Sequence, residues 1–182
     1  MIKKIGIGIL ALIAIVLAFA ATKPDTFSIE RSTNIKAPPE TIHALLTDLH
    51  KWAVWSPWEK MDPTMKRTFS GAASGVGAAY AWEGNGAVGQ GRMEIKGASP
   101  TKVTVQLDFL APMEASNEVN FVLTPQGDTT HVVWAMSGAN NFLAKLMHVF
   151  VSMDSLVGKD FEAGLRDLKN AAETPPAANS QP

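Results

Sequence analysis

The chain contains no cysteine. Disulfides, thiolate metal sites, cysteine nucleophiles and an N-terminal lipidated cysteine are therefore excluded. The compartment stays open on this point, because many periplasmic proteins also lack cysteine. An excess of basic residues is missing too: 16 Lys and Arg stand against 17 Asp and Glu, for a net charge of −1. Nucleic-acid binding needs a basic stripe to neutralise phosphates, so that class of partner is set aside. No pair of histidines and carboxylates keeps the i, i+4 spacing of a helical zinc site, so neither metal nor cofactor is expected. Nor is the chain poor in apolar residues. With 46% hydrophobic and 18% charged residues it is a folding chain and not a disordered one. Its 182 residues suit one domain plus appendages.

Part of that apolar content sits at the start. Lys3 and Lys4 precede an uninterrupted apolar run of 17 residues, Ile5 to Ala21, at the short end of the roughly 17–25 that span a bilayer as a helix. The leading lysines fit the positive-inside rule and place the rest of the chain outside the cytoplasm. Two readings stand side by side. The segment is a retained single-pass anchor in a bacterial inner membrane, or a signal cleaved near Ala20, where Ala18-Phe19-Ala20 has the small-x-small form. Residues 1–22 are thus anchor or signal, 23–173 the domain, and 174–182, rich in Pro, Ala and Ser, a disordered tail.

Within the domain, Phe27, Ile29, Arg31, Thr33 and Ile35 share one side of a period-two strand. Pro38-Pro39-Glu40 then opens a helix to about Asp48. Proline is welcome in a first turn, and an acid suits the positive end of the helix dipole. Trp52, Trp55 and Trp58 crowd around Pro57 in a short helical turn and loop, where rings plugging one end of the core are the plain reading and a pocket wall the functional one. Candidate strands follow at 66–70, 78–83, 88–96, 101–109, 115–124 and 129–137, joined by Gly, Asn and Pro turns. Alternation such as Val103, Val105, Leu107, Phe109 against Lys102, Thr104, Gln106, Asp108 describes an antiparallel sheet with one covered face. The cover is a helix capped by Asn140 or Asn141, whose apolar stripe runs from Leu143 through Phe150, Met153, Val157 and Phe161 to Leu168. About 28 residues make it ~40 Å long.

The order of elements and several local stretches, Ile35-Lys36-Ala37-Pro38-Pro39-Glu40, Trp55-Ser56-Pro57-Trp58, Tyr80-Ala81-Trp82-Glu83-Gly84-Asn85, Val88-Gly89-Gln90-Gly91, Trp134-Ala135-Met136-Ser137-Gly138 and Gly158-Lys159-Asp160-Phe161-Glu162, carry a resemblance. Residues Phe27 to Glu173 resemble the bacterial SRPBCC proteins of the polyketide cyclase/dehydrase-like kind. That resemblance implies an α+β helix-grip (START-like) fold: a curved antiparallel sheet of six to seven strands on a long C-terminal helix, with two short helices after the first strand. It also implies a cavity between sheet and helix suited to apolar or amphipathic small molecules.

Alternation assigns the walls of that cavity. Tyr80, Trp82, Met93, Leu107, Asn117, Phe121, Trp134 and Met136 come from the sheet, and Phe150, Met153 and Val157 from the helix. His131, Glu118 and Asn120 face water. The inward polar set holds Tyr80, Asn117, two indole N–H groups and His148, without an evident general base. His43, His50 and His148 read more simply as structural. The glycines of Gly84 to Gly91 make a turn between strands; they lack the Lys-Ser/Thr ending of a phosphate loop. The expectation is therefore a membrane-tethered binding module for a lipid-like or aromatic molecule. A metal-free cyclase/dehydratase-type enzyme using Tyr80, Asn117 or His148 stands as the alternative, beside an envelope protein-interaction domain with its cavity collapsed. Oligomeric state is not legible.

Overall fold

The structure, a computed structural model, describes residues 2–174. The expected disordered tail falls almost wholly outside them. Helix α1 (Ile2–Ala21) contains the apolar run. By length and composition its Lys3–Ala21 portion can cross a membrane, and a signal sequence passes the same test.

Seven strands follow the alternation closely: β1 (Thr26–Ile35), β2 (Lys66–Gly71), β3 (Ala78–Glu83), β4 (Gln90–Ser99), β5 (Lys102–Ala111), β6 (Ala115–Gln126) and β7 (Thr129–Ala139). They form one antiparallel sheet in the order β1-β7-β6-β5-β4-β3-β2. Between β1 and β2 lie α2 (Pro39–Thr47), a 3-10 turn (Leu49–Lys51), α3 (Trp52–Trp55) and α4 (Pro57–Met61). Pro39 and Pro57 each sit in a first helical turn, where the missing N–H has no helical partner to lose. The inner face of the sheet buries Ile29, Ile95, Val103, Val105, Val119, Phe121, Leu123, Val132, Trp134 and Met136. Its outer face carries the polar partners of each pair, such as His131, whose ring meets the Asn34 side chain at 2.7 Å.

The long helix departs from expectation. It is two helices, α5 (Phe142–Met147) and α6 (Met153–Glu173), separated by His148–Ser152. Only the 21 residues of α6 lie on the sheet, giving ~32 Å instead of ~40 Å. The apolar period runs on through the break because two docking faces share it. α5 packs on α1, and α6 packs on β1. Ser152 marks the restart, its hydroxyl accepting the Ser155 N–H at 3.1 Å as an N-cap. Phe150, expected inside, falls in the break and is 73% exposed.

α6 is fixed to the edge strand along its length. Near its start the Arg31 guanidinium, on the inner face of β1, meets Asp154 at 2.7 Å and Glu162 at 2.9 Å. It lies across Gly158, where a Cβ would come within 2.5 Å of the guanidinium. Near its end Lys169 donates to the Asn34 carbonyl at 2.9 Å, and Glu173 accepts the Lys36 N–H at 2.6 Å.

The register gives the sheet two distinct ends. The start of β1, the end of β7, the β5–β6 hairpin (Leu110–Glu114) and the β3–β4 turn (Gly84–Gly89) share the end next to α1. The β2–β3, β4–β5 and β6–β7 turns share the far end.

Candidate functional site

Strand register aligns one row of inward residues across the sheet near the α1 end: Phe27, Gly138, Asn117, Leu107, Met93 and Tyr80. Two glycines shape the row and its neighbour. Asn117 lies over Gly138, where a Cβ would sit 2.0 Å from its Oδ1, and Trp82 lies over Gly91, where a Cβ would sit 2.4 Å from the indole. Both large side chains can therefore lie flat on the sheet and leave the space above them to other groups. Here the inner face is incompletely covered. Phe27, Leu107, Phe109, Met153 and Val157 pack against the core but stay half-buried.

Deeper in, the same interlayer space is filled. Trp134 stacks on Phe161 of α6 with centroids 4.1 Å apart, and Trp55, Trp58 and Phe121 meet Trp134 within 6 Å. Gly164 makes the approach possible, since a Cβ there would stand 2.7 Å from the Trp134 ring. Trp52 and Trp55 donate their indole N–H groups to the Leu46 and Leu45 carbonyls at 3.0 and 3.3 Å, which ties the plug to α2. The plain reading of the tryptophan cluster holds: the rings seal the core. The Trp134 Nε1 atom is buried there without an acceptor among the described residues.

The residues assigned to the cavity wall therefore separate into three groups. Phe121 and Trp134 belong to the plug. Tyr80, Trp82, Met93, Leu107, Asn117, Met136, Met153 and Val157 surround the half-open cleft or its floor. Phe150 is apart from both. His148 caps α5, its N–H donating back to Ala144 and Leu146, and takes no place in the row.

A polar network at the β3 side of the cleft was not foreseen. The Tyr80 hydroxyl donates to Glu59 at 2.6 Å, and Arg67 Nε donates to the other Glu59 oxygen at 2.7 Å. Burial, and then the adjacent Glu59 carboxylate, hold the Tyr80 phenol well above its ordinary value, so it stays a neutral hydroxyl. Below it the buried Asp62 accepts from the Thr64 hydroxyl at 2.7 Å and the Asn85 N–H at 2.7 Å. The Thr64 hydroxyl first, then the Asn85 N–H, hold that carboxyl below its usual range. Three elements supply these groups, α4, β2 and β3, so no local spacing announces them. Arg67 shares a face with Phe69 in the period-two pattern of β2, which was the one available sign. Asp160 of α6 is half-buried, and burial raises its carboxyl pKa.

The polar groups set among the apolar walls are the Tyr80 phenol, whose proton goes to Glu59, and the Asn117 amide. Among the described residues no cluster of three or more His, Asp or Glu side chains can hold a metal ion. An open depression of about 540 Å³ at the α1 end of the sheet lies mostly on its outer face, lined by Ser28, Gln106, Ser116, Glu118 and Ser137, and reaches the inner face only at Phe27, Asn117 and Gly138; it is distinct from the space between the sheet and α6.

Residues 26–173 match the family model described as polyketide cyclase / dehydrase and lipid transport. A comparison with curated proteins finds no match. Solved structures share the fold at low identity. The Aha1 dimer from Colwellia psychrerythraea is 22% identical, with a TM-score of 0.58 over 81% of this chain and 96% of that one. The ginseng major latex-like protein 151 from Panax ginseng is 14% identical, at 0.56 over 83% and 100%. The di-domain ARO/CYC BexL from the BE-7585A biosynthetic pathway is 12% identical, at 0.60 over 88% of this chain and 54% of that one.

Proposed function

The chain belongs to the polyketide cyclase / dehydrase and lipid transport family, and from that premise we propose that it is a membrane-tethered module binding one apolar or amphipathic small molecule. The ligand lies between the sheet and α6, at the α1 end. The observation that carries this reading is the group of half-buried apolar side chains, Phe27, Leu107, Phe109, Met153 and Val157, gathered at the α1 end between the sheet and α6. A largely apolar cleft with a few convergent polar groups is the usual form of a small-molecule site. Tyr80 and Asn117 offer polar contacts at two points of one row. Met93, Met136 and Met153 adapt to varied shapes. The N-terminal helix supports the tether, with the domain on the outer face of a bacterial inner membrane.

A cyclase/dehydratase-like activity is the second reading, favoured by one observation, the Tyr80–Glu59–Arg67 network. Tyr80 there, its one proton held by Glu59, would present its oxygen to a ligand as an acceptor.

Native mass spectrometry of the full chain released from its own membrane tests the binding reading. A small molecule should accompany the protein, and Leu107→Trp, which fills the cleft, should lose it while folding normally. A folded wild-type chain that carries nothing, and shows no saturable tryptophan response to fatty acids or isoprenoids, would refute it in favour of an interaction domain.

A further inference from the structure

The large exposed apolar side chains of the domain are unevenly distributed. Of the thirteen outside α1, eight lie at the α1 end: Leu110 and Met113 on the β5–β6 hairpin, Phe142, Leu143 and Met147 on α5, Phe150 and Val151 in the break, and Leu156 on the first turns of α6. Water is a poor medium for such a collar, since each buried Å² of apolar surface is worth about 25 cal/mol.

Its position relative to α1 is not free. Only four residues, Thr22 to Asp25, separate α1 from β1, and even extended they reach at most ~14 Å. They are also tied down. Asn140 donates its backbone N–H to the Asp25 carbonyl at 2.7 Å and its side chain to the Pro24 carbonyl at 3.1 Å. Lys145 of α5 pairs with the Asp25 carboxylate. α5 itself packs on α1, and the α1 residues withdrawn from solvent are Ala20 and, in part, Val16. Both belong to the apolar run, with Val16 ~6 Å deeper than Ala20 along the helix. An α1 that crosses a bilayer carries α5 down to the boundary of the acyl chains.

We propose that α5, the His148–Ser152 break and the β5–β6 hairpin tip are immersed in the interfacial layer of the lipid bilayer that α1 crosses, so that the cleft opens toward lipid. This rests on the tethered reading of α1. Shallow insertion of an apolar face, with charges kept at the headgroups, is how interfacial helices sit. Glu114 and Asp154 flank the collar and stay in the headgroup layer. The half-buried Phe27, Leu107, Phe109, Met153 and Val157 lie at the same end, and a lipid-soluble ligand reaches them without crossing water.

The absence of cysteine makes the test clean. Leu143→Cys, Phe150→Cys and Met113→Cys in the full chain are labelled with a polarity-sensitive fluorophore and reconstituted into phosphatidylcholine vesicles brominated near the acyl carbonyls or near the chain ends. Val76→Cys, at the far end of the sheet, and Leu12→Cys, within α1, serve as references. The three collar labels should be quenched by the shallow bromines at least about twofold more than the Val76 label, and the Leu12 label by the deep ones. Collar labels no more quenched than Val76, with Leu12 quenched, overturn the immersed collar and leave the tether standing. An unquenched Leu12 label overturns the tether and the collar with it.

Discussion

At the level of Trp134 the space between sheet and helix is filled by stacked and edge-on rings, while one or two rows nearer α1, at Leu107 and Phe27, the same layers leave apolar side chains half-covered. Both halves use the same strands and the same α6. What differs is the filler. α3 sends Trp52 and Trp55, and α4 sends Trp58, into the deep half, whereas the α1 half receives nothing equivalent and α5 packs on α1. Close packing is concentrated in one half, and the other keeps its apolar side chains half-covered.

The widest separation between the halves is expected from two phenylalanines of one sequence stripe. Phe161, 1% exposed against the Trp134 ring, should cost about 3–5 kcal/mol on truncation to Ala. Phe150→Ala should stay within about 0.5 kcal/mol. Denaturant unfolding of both variants reads the difference, and an equal loss would erase the distinction between sealed and open halves.

A smaller effect is expected where the cleft is shaped. Gly138→Ala puts a Cβ into Asn117 and within 2.9 Å of the Phe27 ring, so overpacking should cost about 1–3 kcal/mol. The same change should alter any copurifying ligand, because Asn117 has to leave the row. Thermal unfolding together with native mass spectrometry checks both. Loss of stability with an unchanged ligand would detach Asn117 from the site.

The smallest effect belongs to Asp160 on the flank of α6, whose carboxyl pKa is raised by burial. A raised acid binds its proton more tightly in the fold, so its cost is absent below the unfolded value near 3.8 and complete above the folded one. Asp160→Asn should therefore be slightly more stable than the parent at neutral pH, by less than about 1 kcal/mol given solvent screening. The gain should fade as pH falls toward 3.8, which melting curves across that range would follow. A gain that grew on acidification would reverse the assignment.

The sheet was legible because one covered face imposes a strict alternation, and each strand ends within about three residues of where the pattern does. Tyr80, Trp82, Asn117 and Met136 were placed on the inner face by the same argument, and all are buried. The helix break was not legible from the apolar spacing, since Leu143, Met147, Phe150 and Met153 keep helical intervals across it. The contact that breaks it, α5 on α1, is tertiary. Ser152 followed by Asp154 was the local signal, a cap and an acid in a first turn. The Glu59–Arg67–Tyr80 network was out of reach because α4, β2 and β3 each supply one of its members, although the period of β2 did set Arg67 on the face of Phe69.

The pairing of β1 with β7 fixes an order of assembly. Thr26, made soon after the N-terminal helix, finds its partner in Ala139, made near the end. β2 to β7 join only sequence neighbours and can zip as successive hairpins, but β1 keeps its ladder groups unpaired until the last strand arrives. Such non-local closure is slow. A waiting strand is also vulnerable to the wrong partner. Asn140 and Lys145, which follow β7 directly and bind the segment just before β1, close that last pairing at its near end.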